Sequence, residues 1–275
     1  MSKFLTFVLT LFTLPTLAFE EIEVTPRDFK GWAPANVRDD AIVEINKNQP
    51  LFGDGSLMFA TDTVTNGQDK ADFELIWQQS GNNIDFPNRT LGNIENLLFA
   101  WYRDSMSTTA PHLVPAFKLQ FYDDGGTMGN AADDILGLLI WEPIYNGINP
   151  APSDSWQIST LTEGIFWVYV SQSAGGSGVI QNYSSTLDDW INNNPMGQGG
   201  DPNVDLSADT YVFGVQIGVG SGWNNSFTGY VDAVQISFGS GDDKLYNFEA
   251  CATYVANNNP DVIFNNDFEC YKLIP

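Results

Sequence analysis

The chain has 275 residues, enough for one large β-sandwich or two ordinary domains, and its 43% hydrophobic, 13% aromatic and only 16% charged residues exclude global disorder. Against 34 Asp and Glu stand 11 Lys and Arg, and the formal net charge of -23 opposes binding to a phosphate backbone or an anionic membrane surface. No nucleic acid is therefore expected as partner.

Residues 1–18 carry the single cation Lys3, the apolar run Phe4 to Leu14 and the small-residue end Thr16-Leu17-Ala18, the pattern of a cleaved secretory signal peptide. The run is shorter than the roughly 20 residues that span a bilayer, and no later segment reaches that length, so no transmembrane segment is expected after cleavage. Residues 19–40 read as a lead-in, with Pro26 and Pro34 and little alternation. From Ala41 the dominant period is two. Strands are predicted at 41–45, 56–61, 71–77, 97–102, 117–122, 135–145, 165–170, 211–219 and 233–238; the clearest alternates Ala71, Phe73, Leu75 and Trp77 with Asp72, Glu74, Ile76 and Gln78. One short helix is predicted near 186–191, capped by Ser185 or Thr186, with Asp188 and Asp189 in its first turn. About nine or ten strands joined by Gly-, Asn- and Asp-rich turns give an all-β fold, a two-sheet antiparallel β-sandwich of jelly-roll type with one loop helix, spanning 41–249. Residues 250–275 form a tail with the chain's two cysteines, Cys251 and Cys270. In an oxidising compartment these pair, closing a loop of roughly 20 residues worth about 3 kcal/mol.

His112 is the only imidazole and no GxSxG elbow is present, which leaves nucleophilic catalysis without its parts. Glu74, Glu142 and Glu163 lie in or beside predicted strands and keep open a two-carboxylate glycoside hydrolase. Carbohydrate binding asks for planar aromatics and a few polar groups. Of the eight Trp, Trp77, Trp101, Trp167 and Trp190 fall on apolar faces, whereas Trp223 with Asn224 lies in a glycine-rich polar loop, and Trp141 and Trp156 flank a loop containing Tyr145. These five residues are the candidate glycan contacts; the alternative for each Trp is a lid over the sandwich end. Counting by twos from Val234, Ile236 and Phe238 places Asp232 on the inward face, where a carboxylate needs an Arg, a ring of backbone N–H groups or a cation. In so acidic a chain calcium is the expected partner, with Asp54 or Asp62 supplying a second ligand.

The stretch Gly220-Ser221-Gly222-Trp223, followed by Gly229-Tyr230-Val231-Asp232-Ala233-Val234-Gln235-Ile236, resembles the closing strand of jelly-roll carbohydrate-binding modules and lectin-like domains, and Gly55-Ser56-Leu57-Met58-Phe59 resembles their opening strand. Residues 55–249 as a whole resemble a set of uncharacterised secreted bacterial jelly-roll proteins. The resemblance implies a β-sandwich, and a structural calcium on the closing-strand Asp, here Asp232. The expectation is thus a secreted or envelope-associated, non-catalytic module that binds a polysaccharide or other glycan and carries structural calcium. A glycoside hydrolase and a purely structural surface or matrix protein are the alternatives.

Overall fold

The computed structural model describes residues 19–64, 67–77, 88–125, 132–172, 178–180, 183–192, 204, 206–239, 241–255 and 271–274. The predicted signal peptide, 1–18, and Cys270 lie outside these residues. In chain order the strands are β1 (Glu20–Val24), β2 (Trp32–Arg38), β3 (Ile42–Asn46), β4 (Ser56–Thr61), β5 (Lys70–Ile76), β6 (Ile94–Arg103), β7 (Ala116–Asp123), β8 (Ile135–Trp141), β9 (Gln157–Thr160), β10 (Phe166–Gln172), β11 (Gly178–Ile180), β12 (Tyr211–Gly220), β13 (Phe227–Phe238), β14 (Asp242–Phe248), β15 (Ala252–Val255) and β16 (Tyr271–Ile274). Two seven-stranded sheets form the sandwich. Sheet I runs β1-β14-β13-β4-β3, with β6 and then β9 on the other side of β13; sheet II runs β11-β10-β8-β7-β12-β5-β2. The all-β sandwich read from the sequence is thus what the strands build. No helix among the described residues is long and apolar enough to cross a membrane.

One expectation is corrected. Residues 19–40 are no separate lead-in: β1 pairs with β14, β2 pairs with β5, and Trp32 is buried against Phe73 in a stacked pair 5.6 Å apart. Their prolines concealed them, since Pro34 lacks an N–H and is tolerated on the edge strand β2. Within the sandwich the pair β1 and β14 is parallel, as is the small separate sheet β15-β16.

The core between the sheets is aromatic. Phe59, Phe73, Phe99, Phe117, Phe166 and Phe248 are all buried, and Trp101 gives its Nε1–H to Ser159 Oγ at 3.0 Å. The helix α1 (Leu187–Ile191) forms as its sequence specifies: Thr186 accepts from the Asp189 N–H, the Asp189 carboxylate accepts from the Thr186 N–H, and Trp190 bonds to the Phe166 carbonyl.

β13 changes partner halfway. Its residues Phe227 to Val231 pair with β4, and Val234 to Phe238 pair with β14. Between these stretches the register with β6 slips and Ala233 takes φ 50°, a left-handed conformation unusual for alanine. Asp232, fully buried, fills this gap: Oδ1 accepts from the Ala233 and Phe248 N–H groups at 2.8 and 3.0 Å, and Oδ2 from the Phe52 N–H at 3.1 Å. Asp232 is buried as expected, but strand alternation does not place it inward: Val231 and Val234 both lie in the core, the bulge at Ala233 breaks the alternation between them, and Asp232 stands opposite Ala100 with backbone N–H groups as its partners. Burial pushes its carboxyl up to about 6, against the pull of those bonds. Asp232→Asn retains the shape but turns an NH2 toward backbone donors. A loss of about 2–4 kcal/mol is expected, read as a lower urea midpoint in chelator.

Arg103, three residues beyond Ala100, the β6 partner of Asp232, plays a similar part at the end of β6. It is 3% exposed and donates to the carbonyls of Ser107, Thr109 and Leu113 and to Thr109 Oγ1, holding the 107–113 loop through one planar fork. Lysine cannot make this fan of contacts. Arg103→Lys should lower the stability by about 2–3 kcal/mol with an unchanged denaturant slope.

Candidate functional site on the outer face of sheet II

Strand alternation decides which side chains leave the core. In β12, Val215, Ile217 and Val219 are buried in the core cluster, so Gly214, Gln216 and Gly218 lie on the outer face. By the same alternation Asp72 and Glu74 of β5, Lys118 and Gln120 of β7, Ile140 of β8, and Trp167 and Tyr169 of β10 share that face. Strand register aligns them into rows: Glu74, Gln216, Lys118, Ile140 and Trp167 form one, and Ile76, Gly214, Gln120, Leu138 and Tyr169 the next.

One hydrogen-bond network joins the polar half of this face. Asp72 takes Lys118 Nζ on Oδ1 at 2.6 Å, and Lys70 Nζ and Asn36 Nδ2 on Oδ2 at 3.0 and 2.9 Å. Lys118 also donates to Gln216 Oε1 at 3.0 Å; Gln216 and Gln120 in turn donate to Glu74 Oε2 at 3.2 and 3.3 Å. Lys118, Gln120 and Gln216 are 8%, 8% and 4% exposed, so the polar atoms are held in place rather than dispersed in water. Burial draws the Lys118 ammonium below its ordinary pKa, and the Asp72 carboxylate opposes that shift. Gly218 makes the network possible. A Cβ there would lie 1.9 Å from Asp72 Oδ1, in the path by which Asp72 crosses β12 to reach Lys118 two strands away.

The other half is aromatic. Trp167 donates its Nε1–H to Glu142 Oε2 at 2.8 Å and meets Tyr183 edge-on at 6.2 Å. Tyr145 stacks on Tyr183 at 4.2 Å and 12°. The turn carrying Tyr145 is fixed by Asn146, which donates to the carbonyls of Glu142 and Ile165 and accepts from the Ile165 N–H at 2.8 Å. Tyr169, at 37% exposure, extends the aromatic surface toward solvent.

The structure does not gather the five residues expected to touch a glycan. Tyr145 belongs to this face. Trp141 is a correction: it is 2% exposed, packed edge-on against Phe99 at 5.7 Å inside the core. Trp156 lies beside Tyr102 on sheet I. Trp223 packs edge-on against the buried Phe227 at 5.1 Å, the lid alternative, in a loop where Asn224 is exposed. Sequence reasoning placed Trp167 in the core because it sits in the apolar run 165–170, and it passed over Lys118, Gln120 and Gln216. Their positions between buried residues at 117–121 and 215–217 were the available signal.

Nor do the expected metal residues form one group. Asp62 lies at the far end of β4 from Asp54, and its Oδ1 accepts from the Val64 N–H at 2.6 Å. Asp54 and Asp232 do share a corner, with Glu249, which sequence reading did not name. Glu249 accepts from the Asp54 N–H at 2.6 Å, and Asp54 accepts from the Cys251 N–H at 3.3 Å. Burial and the neighbouring Asp54 push the Glu249 carboxyl up to about 7. Gly53, at φ 62°, is required there, since a Cβ would fall 1.6 Å from Glu249 Oε1. Both oxygens of Asp232 face backbone N–H groups, whose positive ends compete with any cation. No cluster of three or more His, Cys, Asp or Glu among the described residues is arranged to hold a metal.

The three carboxylates that kept open a two-carboxylate hydrolase, Glu74, Glu142 and Glu163, do not come together. Glu74 and Glu142 are three strands apart and two residues out of row, about 16 Å at the backbone. Glu74 is bonded to Gln216 of β12 and Gln120 of β7, and Glu142 turns away from them toward Trp167 of β10. Glu163 is exposed in a separate turn.

No protein-family model matches this chain, and no curated protein matches it. Solved structures similar to it include a carbohydrate-binding module of the β-sandwich superfamily, at 13% identity over 75% of this chain and with a TM-score of 0.33; the match spans 57% of that chain's length. They also include the family 11 carbohydrate-binding module of a cellulosomal cellulase of Clostridium thermocellum (11% identity, 76% of this chain and 88% of that one, TM-score 0.38). A third is the endo-β-1,4-glucuronan lyase of Trichoderma reesei (13%, 78% and 94%, TM-score 0.37). The likeness is one of β-sandwich architecture, which the strand pairings establish by themselves.

Proposed function

We propose that this protein is an exported, non-catalytic glycan-binding β-sandwich whose ligand lies across the outer face of sheet II. What carries the reading is the meeting, on one face, of two outward aromatic rings, Trp167 and Tyr169, with a fixed row of hydroxyl-binding groups, Lys118, Gln216 and Glu74. A sugar has an apolar ring face for the first and hydroxyls for the second. Charge sets the class of glycan. The face carries Asp72, Glu74 and Glu142 against Lys70 and Lys118, on a chain of net charge -23, so polyuronates are repelled and neutral polysaccharides accepted. In affinity electrophoresis against mixed-linkage β-glucan, xylan, alginate and polygalacturonate, retardation is expected only by a neutral polymer. Trp167→Ala should weaken it by about tenfold to a hundredfold while the fold persists. Retention by the polyuronates, or unchanged binding by the variant, would remove the reading.

Structural calcium is proposed at Asp54 and Glu249, two crowded carboxylates for which a divalent cation can replace a bound proton. In chelator the raised Glu249 pKa makes the native state bind a proton more tightly than the unfolded chain does. Stability should therefore rise as pH falls from 8 through about 7 toward the unfolded value near 4.3. At pH 8, millimolar calcium should raise the Tm of the wild type and leave Glu249→Gln unmoved. A wild-type Tm indifferent to calcium ends the metal. The pairing of Cys251 with Cys270 is proposed on strand register: β15 and β16 align Ala252 with Tyr271, and the cysteines are the residues just before each.

A further inference from the structure

Trp167 could serve a sugar only if its ring is held still, and the hold on it is specific. β10 pairs with β8 so that Trp167 lies opposite Ile140. Glu142, two residues further along the same face, is its diagonal neighbour, within reach of a long side chain. At Glu142 the backbone is still extended, with φ -136° and ψ 141°, before Pro143 opens the following turn, so its carboxylate continues the outward series Leu138, Ile140. Oε2 takes the indole N–H at 2.8 Å. The second oxygen, Oε1, makes no hydrogen bond to any described residue, and Glu142 retains some exposure. Tyr183 holds the indole edge from another side, and Asn146 ties the Glu142 carbonyl to the start of β10, so donor and acceptor sit on one braced unit.

We infer that Glu142 is the positioning residue of the aromatic platform: Oε2 locks the Trp167 ring flat to the face, and Oε1 accepts a hydroxyl of the sugar stacked on it. The inference rests on the reading of this face as the glycan site. It assigns Glu142 a binding role in place of the acid–base role its carboxylate suggested.

Two measurements separate the two claims. The first needs no ligand. The indole N–H resonance of Trp167, assigned by its disappearance in Trp167→Phe, should exchange slowly with solvent in the wild type and in Glu142→Gln, which keeps an acceptor oxygen. In Glu142→Ala it should shift and exchange at least about tenfold faster. An unchanged resonance in Glu142→Ala overturns the positioning role whatever the protein binds. The second is a double-mutant cycle on affinity for mixed-linkage β-glucan, with xylan in parallel. Glu142→Ala should weaken binding about tenfold in the wild type, and markedly less in Trp167→Phe, whose ring has no N–H to anchor; Glu142→Gln should recover most of the loss. Strictly multiplicative effects would overturn the coupling. If instead Trp167→Ala binds as well as wild type, the glycan site is elsewhere, and the resonance experiment still decides whether Glu142 fixes the ring.

Discussion

The sandwich depends on a single buried carboxylate at the point where its longest strand changes partner. A strand that leaves β4 for β14 must pass through a stretch that neither neighbour can bond, and each unpaired N–H buried there would cost on the order of 1–3 kcal/mol. Asp232 meets three such donors from three parts of the chain: its own bulge at Ala233, the turn at Phe52 and the end of β14 at Phe248. It also stabilises the left-handed Ala233, so the slip in register is fixed rather than free to migrate. Its burial raises the energy of the charged form, and the backbone donors return enough of that to keep the carboxylate useful as an acceptor.

The same economy of charge governs sheet II. A chain with few cations places two of them, Lys70 and Lys118, on one aspartate, and relays the second through Gln216 to Glu74. The amides are the important members. A glutamine can accept from an ammonium and donate to a carboxylate at once, so Gln216 transmits the order of the Lys118–Asp72 pair across the face without adding charge. The outcome is a row of fixed polar atoms ending beside aromatic rings, in a region where unlinked carboxylates would repel one another.

Much of the architecture was legible in the sequence because period-two alternation is strong in 71–77, 211–219 and 233–238, and the cap and first turn of the helix at Thr186 are spelled out residue by residue. What alternation could not supply was pairing. β1 is short and soon followed by Pro26, β2 carries Pro34 within it, and they become strands because β14 and β5 offer open edges. The site was less legible than the fold. In a run such as Ile165 to Val170 both faces carry large apolar or aromatic residues, so the outward Trp167 and the inward Phe166 look alike. Trp141 was misplaced for the converse reason, its neighbouring turn suggesting exposure while β8 carries it inward. Asp232 shows where a count by twos stops: the bulge at Ala233 breaks the alternation between Val234 and Asp232, and the burial of the carboxylate depends on Phe52 and Phe248, distant in sequence.

The parallel pairing of β1 with β14 sets Glu20 against Lys244, 224 residues later. Contacts of such separation form late, because the loop entropy must be overcome before they contribute anything. Sheet I consequently has no finished edge on that side, and Asp232 lacks its Phe248 donor, until β14 has emerged. The edge of sheet I that β1 and β14 form together, and the full set of donors around Asp232, therefore wait for residues 242–248, however early strands such as β7, β8 and β10 pair among themselves.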